Sequence, residues 1–591
     1  MSQADGTTPF TRRSLLKASA VGTSALAVPS LLGACSSSGS DSGSGSDNTN
    51  GKAPLELPAD ATDGPTYPSP YVGPRARDLK PFGDGSTTFK IVVPTDATVV
   101  GSWANNKATA YFEKLTGVKI QFQEVLTTAS DGSTDLTKVN AILSSGDLPD
   151  AFMGIPLTQA QVSLYGQQGA FTAVDDLIKV YAPAARKMFE EVPGLRALNA
   201  SSDNKLYQMP GVNDCYHCRS SQGRAWINKE YMDKVGGQMP TTTEELRQLL
   251  LEFQGKNPSG KSGFLPFTAG QGNPLDNYFM QSFLYSPPGS NTGGWLRLNQ
   301  GKVELTARLD EWREALKYLN QLNKDGLLTA QAFSMTGAEL QQAGNTGRVG
   351  FSRSYWWGSF FNPVPLDANA LWRDYVAVPP VKGPSGVNYS QWDYYSYSTG
   401  PGGGLVITSK CTKPEVLVQW ADYMYDLRSI MWAYDGIYES NWWWGDKDQK
   451  GINGKGALFR DKQWPAPAGM SWNQYAPMYR SIDFRGGQQV DPKAPTFEAG
   501  LWAAGEAYKP FAEPQDMQLP PLIIPDDSAA TQADIATSVY QAVSVGLSNF
   551  SLGKKDPNND ADWQAYVAQF DAMKVQDYLD IYQKAYDTRP K

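Results

Sequence analysis

An α/β fold in two lobes is what this sequence predicts, and three observations predict it. The chain has 591 residues, more than one ordinary hydrophobic core organises. Between Thr88 and Met153, strand-like apolar runs alternate with helical ones, the pattern of a parallel sheet covered by helices. A second block with its own amphipathic helices begins near Gly211. At 41% hydrophobic and 12% aromatic residues the chain is too apolar to be disordered, while 56 Gly and 40 Pro make it rich in loops.

The elements follow in order. Thr11-Arg12-Arg13-Ser14-Leu15-Leu16-Lys17 is a twin-arginine start, and the apolar stretch from Ala18 to Leu32 is too short for a bilayer-spanning helix. Leu32-Gly33-Ala34-Cys35 then has the form of a lipobox. Residues 1–34 therefore read as an export signal, with cleavage before Cys35 and lipid attached to it, and residues 35–50 as the lipidated cysteine and a Ser/Gly tether. Cleavage removes Asp5 and three basic residues, so the net charge moves from -8 to -10. Residues 51–87 form a Pro-rich arm. The first lobe opens with a strand at 88–93, a helix at 105–115, a strand at 118–125, a helix at 134–145 ended by Gly146, and a short strand at 150–153.

In the second block Thr242 and Glu245 form a capping-box pair, which starts a helix near Thr243. Residues 310–324 carry Trp312, Leu316, Leu319 and Leu322 at helical spacing, with Gly326 as a stop. Val349–Arg353 reads as a strand returning to the first lobe. Strands follow at 376–379 and 404–408, a helix opens at Pro414, and the tail from Thr531 to Asp587 is helical with breaks near Gly553 and Pro557. The expected boundaries are 88–208 for the first part of lobe 1 and 209–345 for the first part of lobe 2. Residues 346–395 are a lobe 1 return, 396–530 belong to lobe 2 and its cleft loops, and 531–591 are a C-terminal helical segment.

Several chemistries are excluded early. An acidic chain with 52 basic against 60 acidic residues lacks the basic stripe of a nucleic-acid binder. A single histidine, His217, removes His-based catalysis and multi-histidine metal sites, and no Gly-x-Ser-x-Gly elbow is present. Gly255–Ser262 has phosphate-loop spacing, but a helix precedes it and Pro258 deletes an amide, so it reads as a turn. Asp446-x-Asp448-x-Lys450-Gly451 begins like a calcium hand, yet Lys450 takes a ligand position and Ala457 stands where the closing glutamate belongs. No cofactor and no catalytic residue is expected, although a structural calcium site elsewhere stays open. Cys215 and Cys218 are expected to form a local disulfide in an oxidising compartment, with pairing to Cys411 or free thiols as alternatives.

Aromatic residues crowd predicted loops: Tyr355-Trp356-Trp357, Trp392-Asp393-Tyr394-Tyr395 and Trp442-Trp443-Trp444. None has a clean period of 2 or 3.6, so packing of a regular element does not account for all of them. Flat rings suit the C–H faces of sugar rings, and adjacent Asp, Asn and Gln suit hydroxyls.

Four stretches carry a family pattern: Ser145-Gly146-Asp147-Leu148-Pro149-Asp150; Ala225-Trp226-Ile227-Asn228 with Met239 to Leu246; Gly402 to Thr408 with Lys413-Pro414-Glu415; and Asp562-Trp563 through Asp587. In this order they resemble the large lipoprotein branch of family 1 extracellular solute-binding proteins of ABC importers, similar to alginate-binding proteins. The resemblance spans about residues 88–590. It implies a two-lobe, class II periplasmic-binding-protein-like fold with hinge crossings, a central ligand cleft and no catalysis. The implied protein is a lipid-anchored monomer on the extracellular face of the cytoplasmic membrane that delivers an oligosaccharide to importer permease subunits. In that frame Trp356, Trp357, Trp392 and Tyr394 are expected to stack on sugar rings, with Trp103 and Asn105 at the first lobe's sheet edge. Trp443 and Tyr278 are expected from the second lobe, and Asp393, Arg353 and Gln222 are expected to hold hydroxyls. Few Arg or Lys interleave with these aromatics, which favours a neutral di- to hexasaccharide over a uronate. A peptide receptor and an extracellular carbohydrate-active enzyme are the rival classes.

Overall fold

Two separate hydrophobic cores organise the chain, each around a four-stranded sheet. The structure is a computed structural model that describes residues 51–128, 134–220, 223–289, 293–362, 367–395, 404–493 and 495–589, together with Thr49 and Val364. The expected signal segment, Cys35 and Gln222 lie outside the described residues. Asn48–Lys591 forms one compact unit.

In chain order the strands begin with β1 (Thr88–Pro94), β2 (Lys119–Val125), β3 (Ala151–Met153), β4 (Val212–Asn213) and β5 (Ala225–Asn228). They continue with β6 (Leu265–Thr268), β7 (Leu296–Asn299), β8 (Lys302–Leu305), β9 (Val349–Arg353) and β10 (Tyr375–Ala377). The last are β11 (Leu405–Ile407), β12 (Trp442–Trp444), β13 (Phe459–Asp461) and β14 (Tyr479–Arg480).

The first sheet has the order β11-β3-β1-β2, with β1 parallel to both β2 and β3 and β11 antiparallel to β3. β1 is apolar on both faces: Ile91 and Val93 enter one core while Val92 enters another on the opposite side. A run buried on two faces is what a parallel sheet flanked by helices requires. The helix Lys107–Thr116 starts later than its apolar pattern because Asn106 caps it, its side chain accepting from the Ala108 N–H. The arm packs on this lobe: Ala76 is in its core, and the Arg77 N–H donates to Asp426.

The second sheet has the order β10-β5-β9-β6. Helix Thr243–Lys256 opens with the expected capping box between Thr242 and Glu245, and helix Asp310–Lys324 buries Trp312, Leu316, Leu319 and Leu322 in the same core. Asn257 ends the first of these helices in the left-handed conformation, and the phosphate-loop-like segment after it is a turn tied by Asn257 to the Lys261 carbonyl. The C-terminal segment forms helices Asp526–Ser551, Asp560–Ala572 and Val575–Thr588, which pack on this core.

The expected assignment of the central segments is corrected. β9 pairs with β5 and β6, so residues 346–395 do not return to the first lobe but complete the second. β11 pairs with β3, and helices Pro414–Asp422 and Leu427–Tyr434 fill the first lobe's core, so residues 405–486 belong to lobe 1. Phe497 and Leu501 then return the chain to lobe 2. The two lobes therefore exchange chain near residues 213–225, 395–405 and 486–497. Among the described residues no helix is long and apolar enough to cross a membrane.

Candidate functional site: the junction of the two cores

Open α/β sheets present ligands to the loops beyond the carboxyl ends of their parallel strands. In lobe 1 those loops hold Asp96 and Gly154. Asp96 accepts from Val99 N–H through Oδ1 and from the Tyr475 hydroxyl through Oδ2, at 3.0 Å in each case. Gly154 has φ +67°, and a Cβ there would sit 2.8 Å from the Cβ of Tyr475, so glycine lets that half-buried ring lie over the strand ends. In lobe 2 the corresponding loops hold Asn273 after β6 and Tyr355 and Trp356 after β9. Asn273 Oδ1 accepts from the Tyr355 N–H at 3.0 Å, which fixes the turn out of β9.

Between the lobes lies a narrow chamber. Tyr434, Phe459 and Phe484 reach it from the lobe 1 core, and Phe497 reaches it from lobe 2. An aromatic chain crosses the junction: Trp356 meets Phe497 edge-on at 5.4 Å, Phe497 meets Trp464 at 6.1 Å, and Trp464 stacks on Tyr434 at 5.8 Å.

The polar lining is built on the crossing strands. Asn213 in β4 accepts from Arg480 at 2.8 Å and from Arg485 at 2.7 Å through one oxygen. Arg485 donates to Glu498 at 3.0 Å, and Arg480 lies 4.3 Å from the Tyr434 ring centroid. Burial alone would raise the Glu498 pKa, but Arg485, His217 and Arg480 together hold it below its ordinary value. Burial pushes His217 down to about 3, so it is neutral at physiological pH, and its 3.2 Å approach to Glu498 is a hydrogen bond rather than an ion pair. Asp461 is pushed up by burial and accepts from the Gln488 amide at 2.6 Å. Asp435 beside it is also buried, with no hydrogen-bond partner on either oxygen; burial first and Asp461 second push its pKa well above the carboxylate range. The exposed Tyr355 ring lies 5.4 Å from the Arg224 guanidinium, which donates to the His217 carbonyl.

The structure separates the sequence-predicted residues. Trp356 is half-buried on the chamber's aromatic chain. Trp103 is wholly buried in the lobe 1 core, donating its indole N–H to the Pro94 carbonyl, and leaves no ring face for a ligand. Trp357 is packed between Trp226 and Trp372, and Tyr278 is buried with its hydroxyl donating to the Pro379 carbonyl. Trp392 is buried between Tyr216 and the Lys509 ammonium, which lies 4.2 Å from its ring centroid. Tyr394 donates to the Glu513 carbonyl, and Asp393 accepts from the Tyr395 N–H. Trp443 is half-buried under Arg460 in the β12–β13 hairpin, which packs on lobe 1 rather than lobe 2. Asn105 is exposed beside the cap of the first helix. Arg353 is buried near Asp276, whose charge opposes the lowering of its pKa by burial.

Trp464, Tyr434, Asp461, Arg480, Arg485 and Glu498 were not among the expected residues. Their only sequence signal is the aromatic and charged composition of residues 434–498, because contacts between separate elements, among them the β4–β14 pairing that sets Arg480 beside Asn213, bring them together.

Cys215 and Cys218 form a disulfide with Cα atoms 5.1 Å apart, and Cys411 is a buried free thiol. Cys215, His217 and Cys218 form the one cluster close enough for a metal among the described residues, and the disulfide occupies both sulfurs. The Asp446–Gly451 loop makes no cation cage: Asp446 is engaged by Gln489 and Arg460.

A model of the bacterial extracellular solute-binding protein family matches residues 95–428. The fructooligosaccharide ABC transporter substrate-binding protein FusA of Streptococcus pneumoniae serotype 4 is 26% identical over 498 residues, 80% of this chain and 85% of that protein. A structure of S. pneumoniae FusA in complex with kestose superposes with a TM-score of 0.65 at 23% identity, covering 85% of this chain and 99% of that one. A solute-binding protein from Bifidobacterium longum infantis, described as binding HMO, superposes with a TM-score of 0.66 at 18% identity, covering 87% and 100%. The two-lobe fold is thus that of solute-binding proteins, and the family match spans more than half of the chain: it belongs to the bacterial extracellular solute-binding proteins.

Proposed function

We propose that this protein captures a neutral oligosaccharide at the junction of its two lobes and delivers it to an ABC importer. The observation that carries this reading is the aromatic chain Trp356–Phe497–Trp464–Tyr434, which crosses from one core to the other alongside paired charges. Stacked rings take the apolar faces of sugars, while Asp461, Gln488 and the unpartnered Nη1 of Arg480 offer acceptors and donors for hydroxyls. A ligand touching both lobes stabilises their closed arrangement, which is the state a permease would read. No bond has to break.

The arginines favour a neutral ligand. Arg485 is committed to Asn213 and Glu498, and Arg480 to Asn213 and the Tyr434 ring with only its Nη1 unpartnered, so little positive charge is left for a uronate. FusA is described with fructooligosaccharide, which makes fructans the first probes. The twin-arginine segment and Cys35 support export and lipid anchoring of a monomer outside the cytoplasmic membrane.

The test is calorimetry on residues 36–591 with neutral and acidic oligosaccharides. Saturable binding of one neutral class without product formation supports the reading. Binding confined to peptides, or cleavage of the glycan, overturns it.

A further inference from the structure

Beside the junction, lobe 2 carries a second cavity of about 360 Å³. Its floor is the loop after β6, its wall the end of β9, and its far rim the helix Asp526–Ser551. Three observations meet there. Among the described residues Tyr355 and Tyr540, 38% and 53% exposed, are the two aromatic side chains most open to solvent, and both line this one cavity. Asn277 also lines it; it is 2% exposed, and its amide oxygen has no hydrogen-bond partner. Such an acceptor, taken from water, is destabilising unless something donates to it. Finally, the charged residues in the lining are opposite and buried: Arg353 faces Asp276, which accepts from the Trp295 indole at 2.7 Å.

A ligand for this cavity therefore needs a hydroxyl donor for Asn277, an apolar face for Tyr540, and no net charge. We infer that this cavity is a further subsite, holding one neutral sugar ring of the chain whose other units occupy the junction. This rests on the oligosaccharide reading above. Tyr355 joins the two places: it lines the cavity, its ring lies 5.4 Å from the Arg224 guanidinium, Arg224 donates to the His217 carbonyl, and His217 approaches Glu498 of the chamber at 3.2 Å. The subsite would set the preferred length of the ligand, because only a chain long enough to pass Tyr355 reaches Asn277 and Tyr540.

The experiment compares wild type with Tyr540→Ala and Ser544→Trp, both on the rim helix, by calorimetry. The probes are fructan (including kestose and nystose), maltodextrin and alginate series of two to six units, with circular dichroism to verify folding. In the series that binds, wild-type affinity should rise with length until the subsite fills. Both variants should lose about 10-fold for the longest ligands and stay within about twofold for the shortest one that binds. Wild-type binding with variants unchanged at every length overturns the subsite and leaves the junction reading standing. Failure of folded wild type to bind any series overturns both.

Discussion

Trp464 stands between Tyr434 of one lobe and Phe497 of the other, so its ring is the middle of the proposed platform. Trp464→Ala should weaken oligosaccharide binding by about 10- to 100-fold, read by calorimetry, while Trp103→Phe should change stability more than affinity. Two buried groups give the protein opposing responses to pH. His217 falls to about 3 in the fold from an ordinary 6.5, so between these values the unfolded chain binds more protons and stability drops as pH falls. Burial raises Glu513 to about 7 from 4.5, so its contribution is full below pH 4.5 and is lost as pH rises through 7. Urea melts should show a shallower acid-side loss between pH 6.5 and 4 for His217→Gln. They should show a smaller loss between pH 5 and 8 for Glu513→Gln, which keeps an acceptor for the Trp392 N–H. Identical pH slopes in wild type and variants would contradict both assignments.

Helix boundaries were the most legible elements, because capping and period are local. The Thr242–Glu245 box forms with Glu245 accepting from the Thr242 N–H, and Thr242→Ala should destabilise lobe 2 by about 1 kcal/mol in urea. The helix at 310–324 and the strand at 349–353 have the bounds that their patterns predict. The partner of that strand was not legible. Val-Gly-Phe-Ser-Arg is compatible with either sheet, and the register that joins Ala225 to Arg353 is a contact between residues far apart in sequence. For the same reason the loop aromatics do not share one environment. Trp357 follows Trp356 directly, yet one is held between Trp226 and Trp372 while the other reaches the junction.

At the scale of the molecule, ligand that binds only the folded, closed arrangement adds stability by mass action. At 100 times Kd the gain should be about 2.7 kcal/mol, seen as a higher urea midpoint at unchanged slope. Small-angle scattering should show a smaller radius of gyration at saturation, and an unchanged radius would mean that the chamber fills without hinge closure. Local patterns and ordered motifs suffice for the α/β class, the helix caps, the Cys215–Cys218 proximity and the family. Which segments share a lobe and which aromatics face the junction follow instead from contacts between distant parts of the chain. Three chain exchanges interleave the lobes, and burial of a ring depends on neighbours that strand pairing brings from elsewhere in the chain.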